Sequence, residues 1–296
     1  MRIGIDLGGT KTEGILMDDA GRIVNTIRRP TPAHAGYQAI MEVIVDIVAQ
    51  LDKIAGTRCR VGIGTPGSLS AVSGHLINSN TTCLNGQAIS RDLAERLDRI
   101  IRIENDANCF TLSEAIDGAG RDGEIVFGII MGTGVGGGIV IRRQLIKGAH
   151  HIAGEWGHNT LLEDGPACYC GRRGCVETLL SGPAVANAMM HKSGIKPAST
   201  KAVFDAANYG DHIAQICVDE FLDYFGRAVA GVVNIIDPHV IVIGGGLSNV
   251  DLLYSRGPDA VSRYAFTDRF QTPIVRNRHG DSSGVRGAAW LWAPGE

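Results

Sequence analysis

Apolar residues along this 296-residue chain fall into two kinds of pattern: short runs bounded by glycine, and longer stretches at helical spacing. The short runs are typical of buried strands, and the longer ones of amphipathic helices. Strands are predicted at 1–7, 12–18, 60–64, 101–104, 126–131, 139–141, 239–243 and 272–275. Helices are predicted at 38–54, 90–100, 107–116, 181–191, 212–236 and 283–292. The alternation of the two predicts an α/β layer fold.

Three glycine-rich turns each follow a predicted strand. The first turn, at 8–11, leads into another strand, whereas a P-loop or a dinucleotide fingerprint would lead into a helix. It is therefore predicted to be a hairpin whose N–H groups can bind an anion. The turn at 132–134 repeats this arrangement. The predicted phosphate-binding residues are Gly8, Gly9, Thr10, Lys11, Gly132, Thr133, Gly134, Gly244, Gly245 and Gly246.

Asp6 ends the first strand, next to the first glycine turn. A carboxylate cannot bind phosphate directly, but it can hold a water molecule of Mg²⁺, which usually stays hydrated in proteins. This reading predicts a site for Mg²⁺ with a polyphosphate. The alternative is that the three turns are unrelated features of a glycine-rich protein, which has 40 glycines in all.

A cluster of three cysteines and a histidine has the spacing of a metal site. His158, Cys168, Cys170 and Cys175 form the pattern H-x₉-C-x-C-x₄-C, which suits tetrahedral zinc in a closed, structural site. The alternative is a set of reduced cysteines without a metal. The other four cysteines lie apart in the sequence and are expected to be buried as small apolar residues.

Several polar residues stand where chemistry is expected. Asp106 follows Asn105 between a strand and a helix, so it is either an N-cap or a general base that accepts a proton from a hydroxyl. Glu155 and Glu177 flank the cysteine cluster. They are interpreted either as solvated surface charges or as ligands of a substrate. Asn78 and Asn80 are typical of turns, and Asn80 is also a candidate substrate contact.

Length, charge and hydropathy limit the class of protein. A chain of this length suits two domains, and its formal net charge of −3 gives no reason to expect nucleic acid as a partner. The sequence contains no apolar run long enough for a membrane span and no signal-peptide pattern. With an odd number of cysteines, seven, a cytoplasmic location without membrane contact is expected.

The motifs together resemble the ROK family (repressor, open reading frame, kinase), within the actin/hexokinase ATPase superfamily. The segments 6–11 and 132–138 resemble its two phosphate loops, and 244–246 its adenosine-side loop. The segments 155–158 and 168–177 resemble the family signature with its zinc site. The likeness covers nearly the whole chain.

The resemblance implies a two-domain actin-like, ribonuclease H-like fold of the α/β class with a central cleft and a zinc knuckle at 158–175. The domains are expected at 1–118, with a C-terminal helix at 284–296 packing back on them, and at 119–283. A homodimer is also implied.

The implied activity is that of an ATP-dependent hexose kinase that uses Mg²⁺ and phosphorylates a 6-hydroxyl group. By resemblance Asp106 is the catalytic base, and Asn105, Glu155, His158 and Glu177 bind the sugar. Segments 5–13, 105–109, 168–171 and 279–292 look most like bacterial fructokinases of mannokinase type, which predicts D-fructose, and also mannose, as the substrate. An N-acetylglucosamine kinase or a glucokinase of the same family is the alternative.

Two other classes of protein are disfavoured. Sugar-sensing repressors of the family carry an N-terminal helix-turn-helix, whereas only five residues precede Asp6 here. An actin-like filament subunit leaves the cysteine cluster and its flanking glutamates unexplained.

Overall fold

A computed structural model describes all 296 residues. The strands are β1 (Arg2–Leu7), β2 (Lys11–Met17), β3 (Ile23–Pro30), β4 (Arg60–Thr65), β5 (Ser68–Leu69), β6 (Leu76–Ile77), β7 (Ile101–Asn105), β8 (Ile125–Met131), β9 (Val135–Ile141), β10 (Gln144–Leu145), β11 (Val240–Gly244) and β12 (Ile274–Arg276). The α-helices are α1 (Tyr37–Ala55), α2 (Ile89–Leu97), α3 (Asp106–Ile116), α4 (Glu177–Leu180), α5 (Gly182–Ser193), α6 (Thr200–Asn208), α7 (His212–Ile236), α8 (Leu252–Ser255), α9 (Gly257–Ser262) and α10 (Ser283–Trp290). None of these helices is both long enough and apolar enough to cross a membrane.

Two mixed sheets of five strands form the framework, with the orders β3-β2-β1-β4-β7 and β10-β9-β8-β11-β12. In the first, β1 is antiparallel to β2 and parallel to β4. In the second, β11 is parallel to both β8 and β12. Parallel neighbours need crossover connections, which helices supply. The predicted α/β architecture with two sheets is confirmed.

The chain divides into two compact units. Unit 1 comprises residues 1–121, 138–153 and 278–296, and unit 2 comprises 122–137 and 154–277. The boundaries expected from the sequence placed 119–283 in the second domain, so the two divisions differ at 119–121, 138–153 and 278–283. Gly138 shows the physical reason, since a Cβ at this position would lie 2.5 Å from Oγ1 of Thr111 in α3. The backbone at this point packs directly against a helix of unit 1.

Helix α1 covers one face of the first sheet in unit 1. Its apolar stripe includes Ile40, Ile44 and Ile47, all fully buried, and each such side chain contributes about 1.5–3 kcal/mol. The contact is close, because a Cβ on Gly14 of β2 would lie 2.3 Å from Cγ2 of Ile47. The helix ends at Gly56, whose φ of +68° suits a left-handed C-cap. The predicted helix at 38–54 is confirmed to within one residue at each end.

Helix α10 packs against the same sheet and against α3, with glycines at the contacts. A Cβ on Gly4 would lie 2.2 Å from the carbonyl oxygen of Val285, and one on Gly62 would lie 1.9 Å from that of Ala288. On the α3 side, a Cβ on Gly287 would lie 1.6 Å from the carbonyl oxygen of Cys109. Backbone therefore meets backbone at all three positions, which excludes any side chain there.

A buried carboxylate fixes the segment through which the chain returns to unit 1. Glu114 is fully buried, and its Oε1 accepts hydrogen bonds from Ser283 Oγ at 2.8 Å and His279 N–H at 3.2 Å. Its Oε2 accepts from Ala119 N–H at 2.8 Å and Arg278 N–H at 3.0 Å. Four donors thus compensate one buried charge.

Helix α2 begins one residue before the predicted start. Its N-cap is Ala88, which makes no side-chain hydrogen bond, and it ends at Leu97, three residues before the predicted end. Ile89, the first helical residue, is fully buried. Apolar burial rather than capping therefore sets this start.

Unit 2 is built on the 25-residue helix α7. The Asp211 carboxylate caps its start by accepting the Ala214 N–H at 2.8 Å, and the helix stops before Asp237, as predicted. Phe221 on its buried face meets Phe204 of α6 edge to face, with ring centroids 5.5 Å apart. Helix α6 and the short helices α8 and α9 were not predicted from the sequence.

Candidate functional site

The first glycine turn joins two antiparallel strands, as predicted. Gly8 N–H donates to the Lys11 carbonyl oxygen at 3.0 Å, and Leu7 pairs with Thr12 across the hairpin. The turn is held from outside by Thr31, whose hydroxyl donates to the Gly8 carbonyl at 2.7 Å. The Lys11 ammonium lies 2.9 Å from the carboxylate of Glu13, so it would exchange this partner to bind a phosphate.

Two carboxylates of unit 1, Asp6 and Asp106, lie near enough for their charges to interact. Burial, together with the negative charges of Asp106 and Glu13, raises the pKa of Asp6 to about 7, although the Lys11 ammonium opposes this shift. Gly284 of α10 leaves room beside this carboxylate, since a Cβ there would lie 3.5 Å from its Oδ2. A cation would relieve the repulsion between the two carboxylates, so the donor set fits Mg²⁺.

Asn105, not Asp106, caps helix α3. Its Oδ1 accepts the N–H groups of Ala107 at 2.8 Å and Asn108 at 3.2 Å. Asp106 is therefore the first helical residue, and its Oδ1 accepts the Ala107 N–H at 2.8 Å. The N-cap role that the sequence left open for Asp106 is therefore filled by Asn105. The Asp106 carboxylate lies at the positive end of the helix dipole.

The segment containing Asn80 lies close to Asn105. Gly67 connects them, because its carbonyl accepts the Asn105 side-chain amide at 3.4 Å. A Cβ on Gly67 would lie 2.8 Å from Ser79 N. Asn80 itself is exposed and accepts the Thr81 hydroxyl at 3.5 Å. Unit 1 thus brings together Asp6, Asn80, Asn105 and Asp106 near one end of its sheet.

In unit 2 the other two predicted loops share one cavity of about 880 Å³. Gly132 and Thr133 line it from the turn between β8 and β9, and Gly246 lines it from the turn after β11. Gly245 has a φ of +78°, and a Cβ there would lie 2.4 Å from the Met131 carbonyl oxygen. The rest of the lining comes largely from α6 and the 249–252 segment, residues that no local sequence pattern marks. They include Thr200, Phe204, Asn208 and Asn249.

Glu177 joins the cysteine segment to the glycine turn at 132–134. Its Oε2 accepts the Val135 N–H at 2.9 Å, and a Cβ on Gly134 would lie 2.6 Å from the same oxygen. Burial raises the pKa of Glu155, His158 lowers it when charged, and the carboxylate of Glu177 raises it further. The two glutamates are therefore near enough to interact.

The His/Cys cluster has the dimensions of a tetrahedral metal site. Its four ligand atoms all lie within 4.8 Å of one another. The sulfurs of Cys170 and Cys175 are 3.6 Å apart, as are Cys168 Sγ and His158 Nδ1. Zn–S bonds of about 2.3 Å and Zn–N bonds of about 2.0 Å at tetrahedral angles require edges of about 3.5–3.8 Å. The residues therefore fit zinc.

Two α/β units with glycine turns between strands are typical of the sugar kinases of the hexokinase superfamily. The model of the ROK family matches residues 2–294, and the chain belongs to this family.

Individual relatives match over nearly the full length. The N-acetyl-D-glucosamine kinase of Vibrio atlanticus is 36% identical over 301 aligned positions, covering 98% of this chain and 99% of the relative. Among solved structures, the ROK hexokinase of Thermus thermophilus has a TM-score of 0.87 at 32% identity, with 97% and 96% of the two chains covered. A ROK family glucokinase of Streptomyces griseus, in complex with glucose and AMPPNP, has a TM-score of 0.79 at 27% identity, with 98% of each chain covered.

The predicted ATP-dependent sugar kinase of the ROK family is thereby confirmed. The narrower prediction of a fructokinase is not, because the relatives named above are an N-acetyl-D-glucosamine kinase, a hexokinase and a glucokinase.

Proposed function

We propose that this chain transfers the γ-phosphoryl group of ATP to the 6-hydroxyl of N-acetyl-D-glucosamine. The observation that carries the choice of sugar is the 36% identity to the Vibrio atlanticus N-acetyl-D-glucosamine kinase across almost the whole chain. The prediction of D-fructose as the substrate is supported only by short sequence segments, and fructose is tested below as the competing substrate. The kinase operates in the cytoplasm, and as a homodimer.

The cavity of unit 2 supports the nucleotide half of this proposal. Its volume of about 880 Å³ falls within the range of about 300–1,000 Å³ usual for ligand sites. The backbone of Gly132, Thr133 and Gly246 opens onto it, and main-chain N–H groups with a hydroxyl are suitable phosphate donors. Phe204 and Leu252 supply apolar lining against which a base can pack.

Asp6 would hold Mg²⁺ through a water molecule, and the turn at 8–11 would bind the phosphates. When bound, the ion offsets the negative charge that builds up on the transferring phosphoryl group. Its arrival would also favour the ionised form of Asp6, whose pKa is raised to about 7 without it.

Asp106 accepts the proton of the attacking hydroxyl. The Ala107 N–H fixes one carboxylate oxygen at 2.8 Å, and the N-terminus of α3 stabilises the ionised form that a base requires. Asn105 orients the same turn by capping it. Phosphoryl transfer needs little more of the protein than an oriented nucleophile and charge stabilisation.

The proposed ligands of the sugar hydroxyls are Asn80, Asn105, Glu155, His158 and Glu177. Carboxylate oxygens accept hydrogen bonds from hydroxyl groups, which suits a neutral polyol. Zinc, held by His158, Cys168, Cys170 and Cys175, would keep the segment between Glu155 and Glu177 in place and fix the imidazole.

A coupled kinase assay with Mg·ATP and four sugars tests the proposal. N-acetyl-D-glucosamine should give the highest kcat/KM among itself, D-fructose, D-glucose and D-mannose. Asp106→Asn should lower kcat by about 10²–10⁴-fold while sugar binding is largely retained. The matched control is Asp98→Asn, at a side chain 92% exposed, which should behave as wild type. A higher kcat/KM for fructose would overturn the choice of sugar, and near-normal kcat in Asp106→Asn would overturn the base.

A further inference from the structure

Tyr169 lies between two of the cysteines and makes a contact that the proposed chemistry does not use. Its hydroxyl lies 3.0 Å from Nε2 of His158. The phenol ring meets the imidazole edge to face, with centroids 5.2 Å apart and an interplanar angle of 89°. Even so, the side chain is 76% exposed. Apart from this hydrogen bond and the ring contact, little packing fixes its position.

The two nitrogens of His158 have different tasks. Nδ1 lies 3.6 Å from Cys168 Sγ, inside the His/Cys cluster, so it is the nitrogen that would bind the metal. A neutral imidazole that uses Nδ1 as a ligand carries its proton on Nε2. Nε2 is then the single donor that His158 can offer to anything else, and Tyr169 accepts it.

The surroundings of Tyr169 are those of the sugar-binding groups. The loss of hydration around the phenol hydroxyl, together with the negative charges of Glu177, Cys168 and Glu155, raises the pKa of Tyr169 to about 12. The phenol hydroxyl is therefore close to both glutamates to which the sugar role is assigned, and it lies on the side of His158 that faces away from the sulfurs.

We propose that the Tyr169 hydroxyl occupies, in the sugar-free protein, the hydrogen-bonding position on His158 that a sugar hydroxyl takes over, so that sugar binding displaces it. The inference rests on the proposed role of His158 in sugar binding. A single N–H cannot serve two acceptors at full strength. Because the ring is mostly exposed, it can turn outward without repacking the unit. Tyr169 thus sets sugar affinity without being a catalytic residue.

Tyr169→Phe tests this, because it removes the hydroxyl and keeps the ring. Loss of a competing hydrogen bond should lower the Kd for the sugar, measured by calorimetry without ATP, by about 2- to 10-fold. KM for the sugar should fall in parallel, with kcat and the KM for ATP unchanged. Tyr209→Phe is the matched control in unit 2, at a side chain 91% exposed, and it should leave all four constants unchanged.

The outcomes separate the inference from the function on which it rests. If wild type binds a sugar and Tyr169→Phe binds it equally or more weakly, the displacement is refuted, and weaker binding would make Tyr169 a direct sugar contact. If wild type binds none of the four sugars, the proposed function fails and the inference falls with it. Metal analysis of both variants checks the cluster, since a tighter Kd with altered zinc content would also count against displacement.

Discussion

The buried carboxylate of Glu114 gives the sharpest test of how unit 1 is held together. In Glu114→Gln an amide nitrogen replaces one of two oxygens, each of which accepts two hydrogen bonds. If the nitrogen takes the Oε2 position, it faces the Ala119 and Arg278 N–H groups, and both lose their acceptor. If it takes the Oε1 position, the Ser283 hydroxyl can turn and accept from it, and only the His279 N–H loses its acceptor. The second arrangement is therefore favoured.

The expected cost follows from this count. One hydrogen bond to a charged group contributes about 1.5–3 kcal/mol, and a buried donor left without a partner costs a similar amount. We expect Glu114→Gln to lower the free energy of unfolding by about 2–3 kcal/mol. Glu114→Ala should lower it by about 5 kcal/mol, because the alanine leaves all four donors without an acceptor.

Urea unfolding followed by circular dichroism measures the change, with Glu95→Gln as the control. Glu95 lies on α2 with its side chain 72% exposed, so its variant should stay within about 0.5 kcal/mol of wild type. A loss below about 0.5 kcal/mol in Glu114→Gln would refute the reasoning, because it would mean that the four contacts are replaced at no cost.

Three further predictions concern the site. Because the pKa of Asp6 is raised to about 7 from 3.8, the folded protein keeps a proton that the unfolded chain releases, and stability from this group is lost as pH rises from about 4 to 7. In EDTA, Asp6→Asn should therefore raise Tm more at pH 8 than at pH 5, and an equal rise at both would contradict the assignment. Gly134→Ala places a methyl group 2.6 Å from Glu177 Oε2 and should raise the KM for the sugar about 10-fold. The control Gly231→Ala adds a methyl group with nothing within 4 Å and should leave this KM unchanged. Unchanged steady-state kinetics in Gly134→Ala would show that Glu177 does not depend on this contact. Cys170→Ser should lose zinc by metal analysis and bind sugar more weakly by calorimetry, while Cys83→Ser should do neither. Undiminished sugar binding by metal-free protein would separate the cluster from the sugar site.

Local signals in the sequence carried most of the fold and part of the site. The glycine turns at 8–11 and 132–134 were predictable because each stands between two apolar runs, and α1 and α7 because their apolar stripes are long. The spacing of His158 with the three cysteines likewise predicted a cluster that the structure assembles.

Features that depend on contacts distant in sequence were not predictable. Residues 138–153 group with unit 1 because Gly138 packs against Thr111, and nothing local marks that contact. The lining of the unit 2 cavity by α6, and the hydrogen bond from Val135 N–H to Glu177, also arise from tertiary packing. The same holds for the position of the Tyr169 hydroxyl beside Nε2 of His158.

The close packing of α10 against Gly4 and Gly62 has a consequence for the order of folding. The ribosome completes all of unit 2 before it makes α10, the helix that covers the glycine-rich face of the first sheet. Until then this face of β1 and β4 has no partner, since no side chain can fill the space that the helix backbone takes. Unit 1 therefore cannot complete its packing until all of unit 2 has been synthesised, although its first strand is made first, and a chain stopped at Asn277 would leave this face uncovered.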